Sequence, residues 1–215
     1  LGQRLLTGRL VIAEAALVAL KVLRLKTQAY CQQKKADGLG NTKPALADLP
    51  QLRSLFATAF STVERLEAFC AGVERKLCEC LRADAIPDAQ LVEAIAATKI
   101  LTVEAGLEIQ HRLEGEVGSY ALTSESGFQY KDLLLCCKFA EGDGRILKMK
   151  MARDRLERVR REGVRAELSS WMSSWMTGTA ADRTESYTAL MLARAMDSAR
   201  RAGGGGGGGS SSGSG

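Results

Sequence analysis

The sequence predicts an all-α protein whose core is an antiparallel four-helix bundle, and three observations carry that expectation. Of 215 residues only three are proline and 5% are aromatic, while Ala and Leu are abundant and 26% are charged, a balance that favours helix over sheet. Apolar residues recur at helical spacing through four long segments. Short breaks rich in Gly, Pro and Ser join them, and short connections between long amphipathic helices make neighbours antiparallel. A chain of this length buries enough surface to need no disulfide or metal to hold it together.

The first helix is expected from about Thr7 to Lys34. Leu10, Ile12, Ala13, Leu17, Leu20 and Leu25 share helical spacing, and "EAALVAL" is apolar on nearly every side, so deep burial is expected. "KKADGLGNTKPALADLP" breaks it with Gly38, Gly40, Pro44 and Pro50. A second helix opens at Asp48 with Pro50 in its first turn. Leu52, Phe56, Ala59, Val63, Leu66, Cys70, Val73, Leu77 and Cys80 then hold a four–three alternation, which calls for a nearly antiparallel partner.

"RADAIPDAQ" stops the second helix, and Asp88 after Pro87 opens a third that runs to about Gly118. Residues 118–128 form a Ser/Gly loop, followed by a short helix over Gln129–Lys138. The fourth long helix starts near Gly142 and reaches at least Arg161. A further helix is expected over 185–201. Residues 203–215 are only Gly and Ser, which have nothing to bury and predict a disordered tail. The expected organisation is a bundle over 1–165, a helical extension over 166–202 and the tail over 203–215, with no internal repeat.

Several chemistries lack their residues. There is no glycine-rich nucleotide loop and no Walker loop. One histidine, His111 in mid-helix, reads as a polar surface or interhelix residue rather than part of a triad. Six cysteines include the adjacent Cys136–Cys137 and the pair Cys78 and Cys80, spacings that suit neither a disulfide framework nor a zinc site. Reduced thiols and an intracellular or organellar compartment are expected, and no metal.

No apolar run is long enough to span a bilayer, and no signal peptide is expected. The chain begins at Leu1, from which a truncated or processed product is expected. The net charge of +5 is modest. Basic residues outnumber acids between Arg145 and Arg165, but Asp154, Glu157 and Glu162 stand among them at helix-pair spacing and no aromatics interleave. A solvated helix face is therefore expected there in place of a nucleic-acid stripe. "WMSSWM" (171–176) reads as a satellite packing surface, with a membrane-touching or partner patch as the other reading.

"KFAEGDGRILKMKMARDRL" (138–156) leaves one residue open on pattern alone. Glu141 precedes a basic helix, where a carboxylate is favoured by the helix dipole. It also stands between Phe139–Ala140 and Gly142, downstream of Leu133, Leu134 and Leu135, the setting of a positioned base.

Residues 5–160 resemble the C-terminal helical domain of acyl-CoA dehydrogenases and acyl-CoA oxidases. Gly8-Arg9 followed by "VIAEAA" resembles the opening of that domain's first helix. Ser124-Glu125-Ser126-Gly127-Phe128 is similar to its glycine-rich turn, and Phe139-Ala140-Glu141-Gly142-Asp143 on to Ile146 to its catalytic segment. The resemblance implies that Glu141 is the base that removes the α-proton of an acyl-CoA thioester while hydride leaves the β-carbon for FAD. That is the α,β-desaturation step of fatty-acid β-oxidation. Apolar walls favour such a base, and a neighbouring glycine lets substrate and flavin approach.

Relatives that carry the base on the first helix place it just before the arginine, here Gly8, which leaves Glu141 to serve. Arg9 is implied to orient Glu141, and Gly142 and Asp143 to line the flavin pocket. Asp143 in place of threonine is the more oxidase-like choice. Lys34 is implied to stand for an arginine that reaches the flavin pyrophosphate of a neighbouring subunit, although Ala36 and Asp37 replace the Gln and Phe that accompany it. The resemblance further implies a homo-oligomer formed through the bundle, or a place in a larger complex, and a peroxisomal or mitochondrial location. The family's N-terminal helical and middle β-domains are not among these residues, so a non-catalytic structural or assembly bundle is the alternative function.

Overall fold

The computed structural model describes residues 2–36 and 43–177, with side chains over 4–36 and 43–161. Among the described residues there are five α-helices: α1 (Gly2–Gln33), α2 (Pro50–Arg82), α3 (Ala89–Val117), α4 (Lys131–Phe139) and α5 (Gly144–Thr177). The described residues contain no strand, and one isolated antiparallel bridge joins Lys35 to Ala45. It draws the ends of the α1–α2 connection together through Leu46 N–H to the Lys34 carbonyl at 2.7 Å and Ala36 N–H to the Pro44 carbonyl at 2.9 Å.

The helix ends follow from local chemistry. Pro50 occupies the first turn of α2, where its missing N–H is no loss. The end of α2 turns through Asp84 in the left-handed region (φ 49°), and Ala85 N–H caps the Cys80 carbonyl at 3.0 Å. Asp88 then caps α3, its Oδ1 accepting from Leu91 N–H at 2.7 Å.

The described residues fall into two units, one up to Lys148 and one from Met149 onward. In the first, Leu20, Leu23 and Cys31 of α1 pack with Leu52, Leu55, Phe56, Ala59 and Val63 of α2 and Ile109, Leu113 and Val117 of α3. The end of α1 thus meets the start of α2 and the end of α3, so α2 runs antiparallel to both. A second cluster joins Ala16 of α1, Val103 of α3 and Leu134 and Cys137 of α4. Gly127 lies against Leu23 and Gly8 against Glu141, so α4 returns antiparallel to α1. The result is an all-α up-down-up-down bundle of α1 to α4, with α3 touching the other three.

α2 buries the predicted seam from Leu52 to Leu77, and Cys80 is half-buried. α1 departs from expectation. Leu10, Ala13, Leu17 and Leu20 are buried, but Val11, Val18, Val22 and Leu25 are exposed and Ile12 is only half-buried. The reason is geometric: its neighbours cover one side, and spacings of seven, four and three place the exposed residues on the other. The short helix appears as α4, led in by a 3-10 turn over Phe128–Tyr130. The fourth long helix starts at Gly144 and runs without a break through residue 165 to Thr177. The expected helix over 185–201 and the tail over 203–215 lie outside the described residues, as do the side chains of "WMSSWM".

Candidate functional site around Glu141

The link between α4 and α5 is a four-residue turn, Ala140 to Asp143, at the N-terminal end of α1. Ala140 N–H still reaches the Cys136 carbonyl at 2.9 Å. The backbone then passes through two positive φ values, 55° at Glu141 and 109° at Gly142. Glycine tolerates this freely, whereas for glutamate it is an uncommon conformation that surrounding structure must hold.

Asp143 is the cap of α5. Its Oδ1 accepts from Arg145 N–H at 2.7 Å, and its backbone carbonyl accepts from Leu147 N–H at 3.0 Å. The Arg145 guanidinium also lies 3.3 Å from each carboxylate oxygen, and that hydrogen-bonded pairing holds the Asp143 carboxyl below the usual carboxylate range. Glu141 does not do the cap's work, because the helix begins two residues later than the sequence predicts.

The Glu141 side chain is exposed and lies across the backbone of α1 at Gly8. A Cβ at position 8 would stand 2.7 Å from the Glu141 carboxyl carbon and 2.8 Å from Oε1, inside any normal contact. Arg9 comes to the same turn, but its Nε donates to the Glu141 backbone carbonyl at 3.1 Å. Glu141, Arg9, Gly142 and Asp143 are therefore brought together. Lys34 is not: it follows the far end of α1, 25 residues beyond Arg9 and so roughly 37 Å away at helical rise.

Lys99 of α3, which is not among the residues expected from the sequence, completes the arrangement. It is 1% exposed, and its Nζ donates to the Lys138 carbonyl at 2.8 Å and the Gly142 carbonyl at 2.6 Å. Burial pushes its ammonium below the ordinary lysine range, and nearby Asp143 opposes that shift. The available signal was a lone charge inside the uncharged run 94–103, every residue of which is buried or half-buried. Nearby, Lys148 pairs with Glu104 at 2.6 Å. Further along α5, Lys150 pairs with Asp154 and Arg161 with Glu157 at helix-pair spacing. No group of three or more metal-ligating side chains occurs among the described residues, and none of their helices is long and apolar enough to cross a membrane.

Fold and site together define an up-and-down helical bundle that carries a carboxylate on a strained interhelix turn. The sequence matches no protein-family model and no curated protein. Among solved structures it is similar to an acyl-CoA dehydrogenase from Geobacillus kaustophilus, with TM-score 0.58 and 18% identity over 70% of this chain and 36% of that one. An acyl-CoA dehydrogenase from Slackia heliotrinireducens gives TM-score 0.58 and 17% identity over 74% and 38%. The electron transferring flavoprotein of Acidaminococcus fermentans, described in terms of flavin-based electron bifurcation, gives 0.58 and 16% over 71% and 37%. The fold is that of an acyl-CoA dehydrogenase-like helical domain, and the chain spans little more than a third of the length of these neighbours.

Proposed function

We propose that this chain supplies the base-bearing wall of a flavin-dependent acyl-CoA dehydrogenase or oxidase, with Glu141 taking the α-proton of the acyl thioester. The observation that carries the proposal is the Glu141 turn. A carboxylate that caps no helix is held in a strained conformation, against a glycine that must lack a side chain for it to fit. Such an arrangement has no stabilising purpose of its own, and strain of this kind gathers at working sites.

The residues present fit one side of a flavin and acyl-CoA pocket. Glu141 is exposed, and so are Phe139 and Ile146 on either side of it in sequence. FAD, when bound, would accept the hydride from the β-carbon. Glu141 would receive the α-proton on its carboxylate, Arg9 would fix the backbone beneath it, and Gly142 would let ligands come close. Because the Asp143 carboxylate is engaged with Arg145, its place beside the flavin would run through the backbone. Lys34, at the other end of α1, would serve a flavin held by a second copy, which fits a homo-oligomer. A peroxisomal or mitochondrial setting goes with the acyl-CoA reading.

A second reading, a non-catalytic bundle in a larger assembly, is favoured by the exposed stripe of Val11, Val18, Val22 and Leu25. Anaerobic mixing with a saturated acyl-CoA separates the two, using the flavin-containing protein with whatever sequence its gene carries ahead of Leu1. Glu141→Gln should preserve acyl-CoA binding and slow flavin bleaching by about 10²–10⁴-fold or more. Normal bleaching in the Gln variant would sink the base assignment. A wild-type protein that never bleaches would favour the assembly reading.

A further inference from the structure

We propose that Lys99 is a positioning residue that clamps the Glu141 turn from beneath. Burying an ammonium is costly unless it is fully engaged, and a lysine with any route to water extends its amine there. Lys99, at 1% exposure, instead places Nζ between the carbonyls of Lys138 and Gly142, at 2.8 and 2.6 Å. The Lys138 carbonyl is one of those left unpaired at the end of α4, and capping it would be an ordinary structural duty. The bond to Gly142 is different, because that carbonyl lies beyond the helix, on the far side of Glu141.

Lys99 therefore grips the chain three residues before and one residue after the residue with φ 55°. Arg9 holds the carbonyl of Glu141 itself at 3.1 Å. Two cations on different helices, α3 and α1, thus fix three carbonyls within five residues and hold the Glu141 backbone where its carboxylate lies across Gly8. The catalytic consequence rests on the reading of Glu141 as a base. The clamp itself does not.

The test uses NMR of the 215-residue chain, with Lys99→Met to remove the amine and Lys99→Arg to restore a cation. In the Met variant the cross-peaks between Gly8 Hα and the Glu141 side chain should vanish. The Ala140 and Arg145 amides should exchange about tenfold faster or more, while those of Leu66 and Val73 on α2 stay near wild type. The Arg variant should recover part of both signals. Retained Gly8–Glu141 cross-peaks in Lys99→Met, or exchange accelerated equally throughout, would overturn the clamp. If the Met variant does not fold, couplings from Lys99 15Nζ to the Lys138 and Gly142 carbonyl carbons decide the matter in the unsubstituted chain, and their absence overturns it. Normal bleaching in Glu141→Gln would remove the catalytic reading and leave the clamp standing, so the two failures are distinguishable.

Discussion

The Glu141 carboxylate occupies the space that any side chain at Gly8 would need. The closest approach is 2.7 Å from an added Cβ to the carboxyl carbon, and the two residues belong to different elements, α1 and the α4–α5 turn. A glycine within a helix is ordinarily a weakness of about 0.5–1 kcal/mol relative to alanine. Here its missing side chain is what lets the Glu141 carboxylate lie across the helix.

Gly8→Ala should therefore part stability from site geometry. Helix propensity favours alanine, and the clash falls on the movable end of a glutamate, so the melting temperature should hold or rise slightly. The Glu141 side chain should be displaced, seen as loss of its cross-peaks to position 8. In a flavin-containing protein, bleaching by acyl-CoA should slow. A lower melting temperature with an unmoved Glu141 would show that the contact is misplaced.

The α2 seam makes a second prediction. Val63 is 2% exposed at the centre of the core, so Val63→Asp buries a charge with no partner and should cost about 3–5 kcal/mol in urea unfolding. Val18→Asp on α1, where the residue is 59% exposed, should stay within about 0.5 kcal/mol. Equal losses at the two positions would show that α1 buries the wrong face here.

How far the sequence reached is plain from these two helices. α2 was legible because one neat stripe of apolar residues has a single reading. α1 was not, since a helix apolar on nearly every side does not say which face its neighbours will cover. The Glu141 segment stood out by its residues. Its role as a cap passed to Asp143 because the start of α5 lay two residues further on, and helix ends are the least certain feature of a pattern. Lys99 showed only as a lone charge in an otherwise uncharged run, and its role stayed hidden because its partners are backbone carbonyls 39 and 43 positions away.

The cysteines give a third prediction, with a defined sign. Burial pushes the Cys31 thiol up to about 11 and the Cys70 thiol up to about 12, Glu14, Glu74 and Glu67 adding to the latter. Each thiol loses its proton more readily when unfolded, near pH 9. Above that the unfolded chain binds fewer protons than the folded one, so stability falls as pH rises from about 9 towards 11. Thermal melts across that range should show the decline. Iodoacetamide at neutral pH should label exposed Cys136 and spare Cys31 and Cys70 until the protein unfolds. Rapid native labelling of Cys70 would contradict its burial.

The 215-residue chain alone should not retain flavin. It spans 36–38% of the length of its structural neighbours and offers one wall, so most contacts that enclose a ligand are lost. Desalting after incubation with FAD should leave a colourless protein. A yellow, stoichiometrically loaded preparation would make this chain a holder of flavin by itself.

The bond from Arg9 to Glu141 joins residues 132 positions apart, whereas α2 and α3 are joined by the short stretch between Arg82 and Ala89. Contacts between sequence neighbours form quickly, and closing a longer loop costs about 0.6 kcal/mol for each doubling of its length. The helical hairpin in the middle of the chain should therefore form first, and the turn that bears the carboxylate should be stitched to the first helix later. During refolding, ellipticity should return before Glu141 settles against Gly8. A newly made molecule should pass through an interval in which its core is ordered and the Glu141 carboxylate is still adrift.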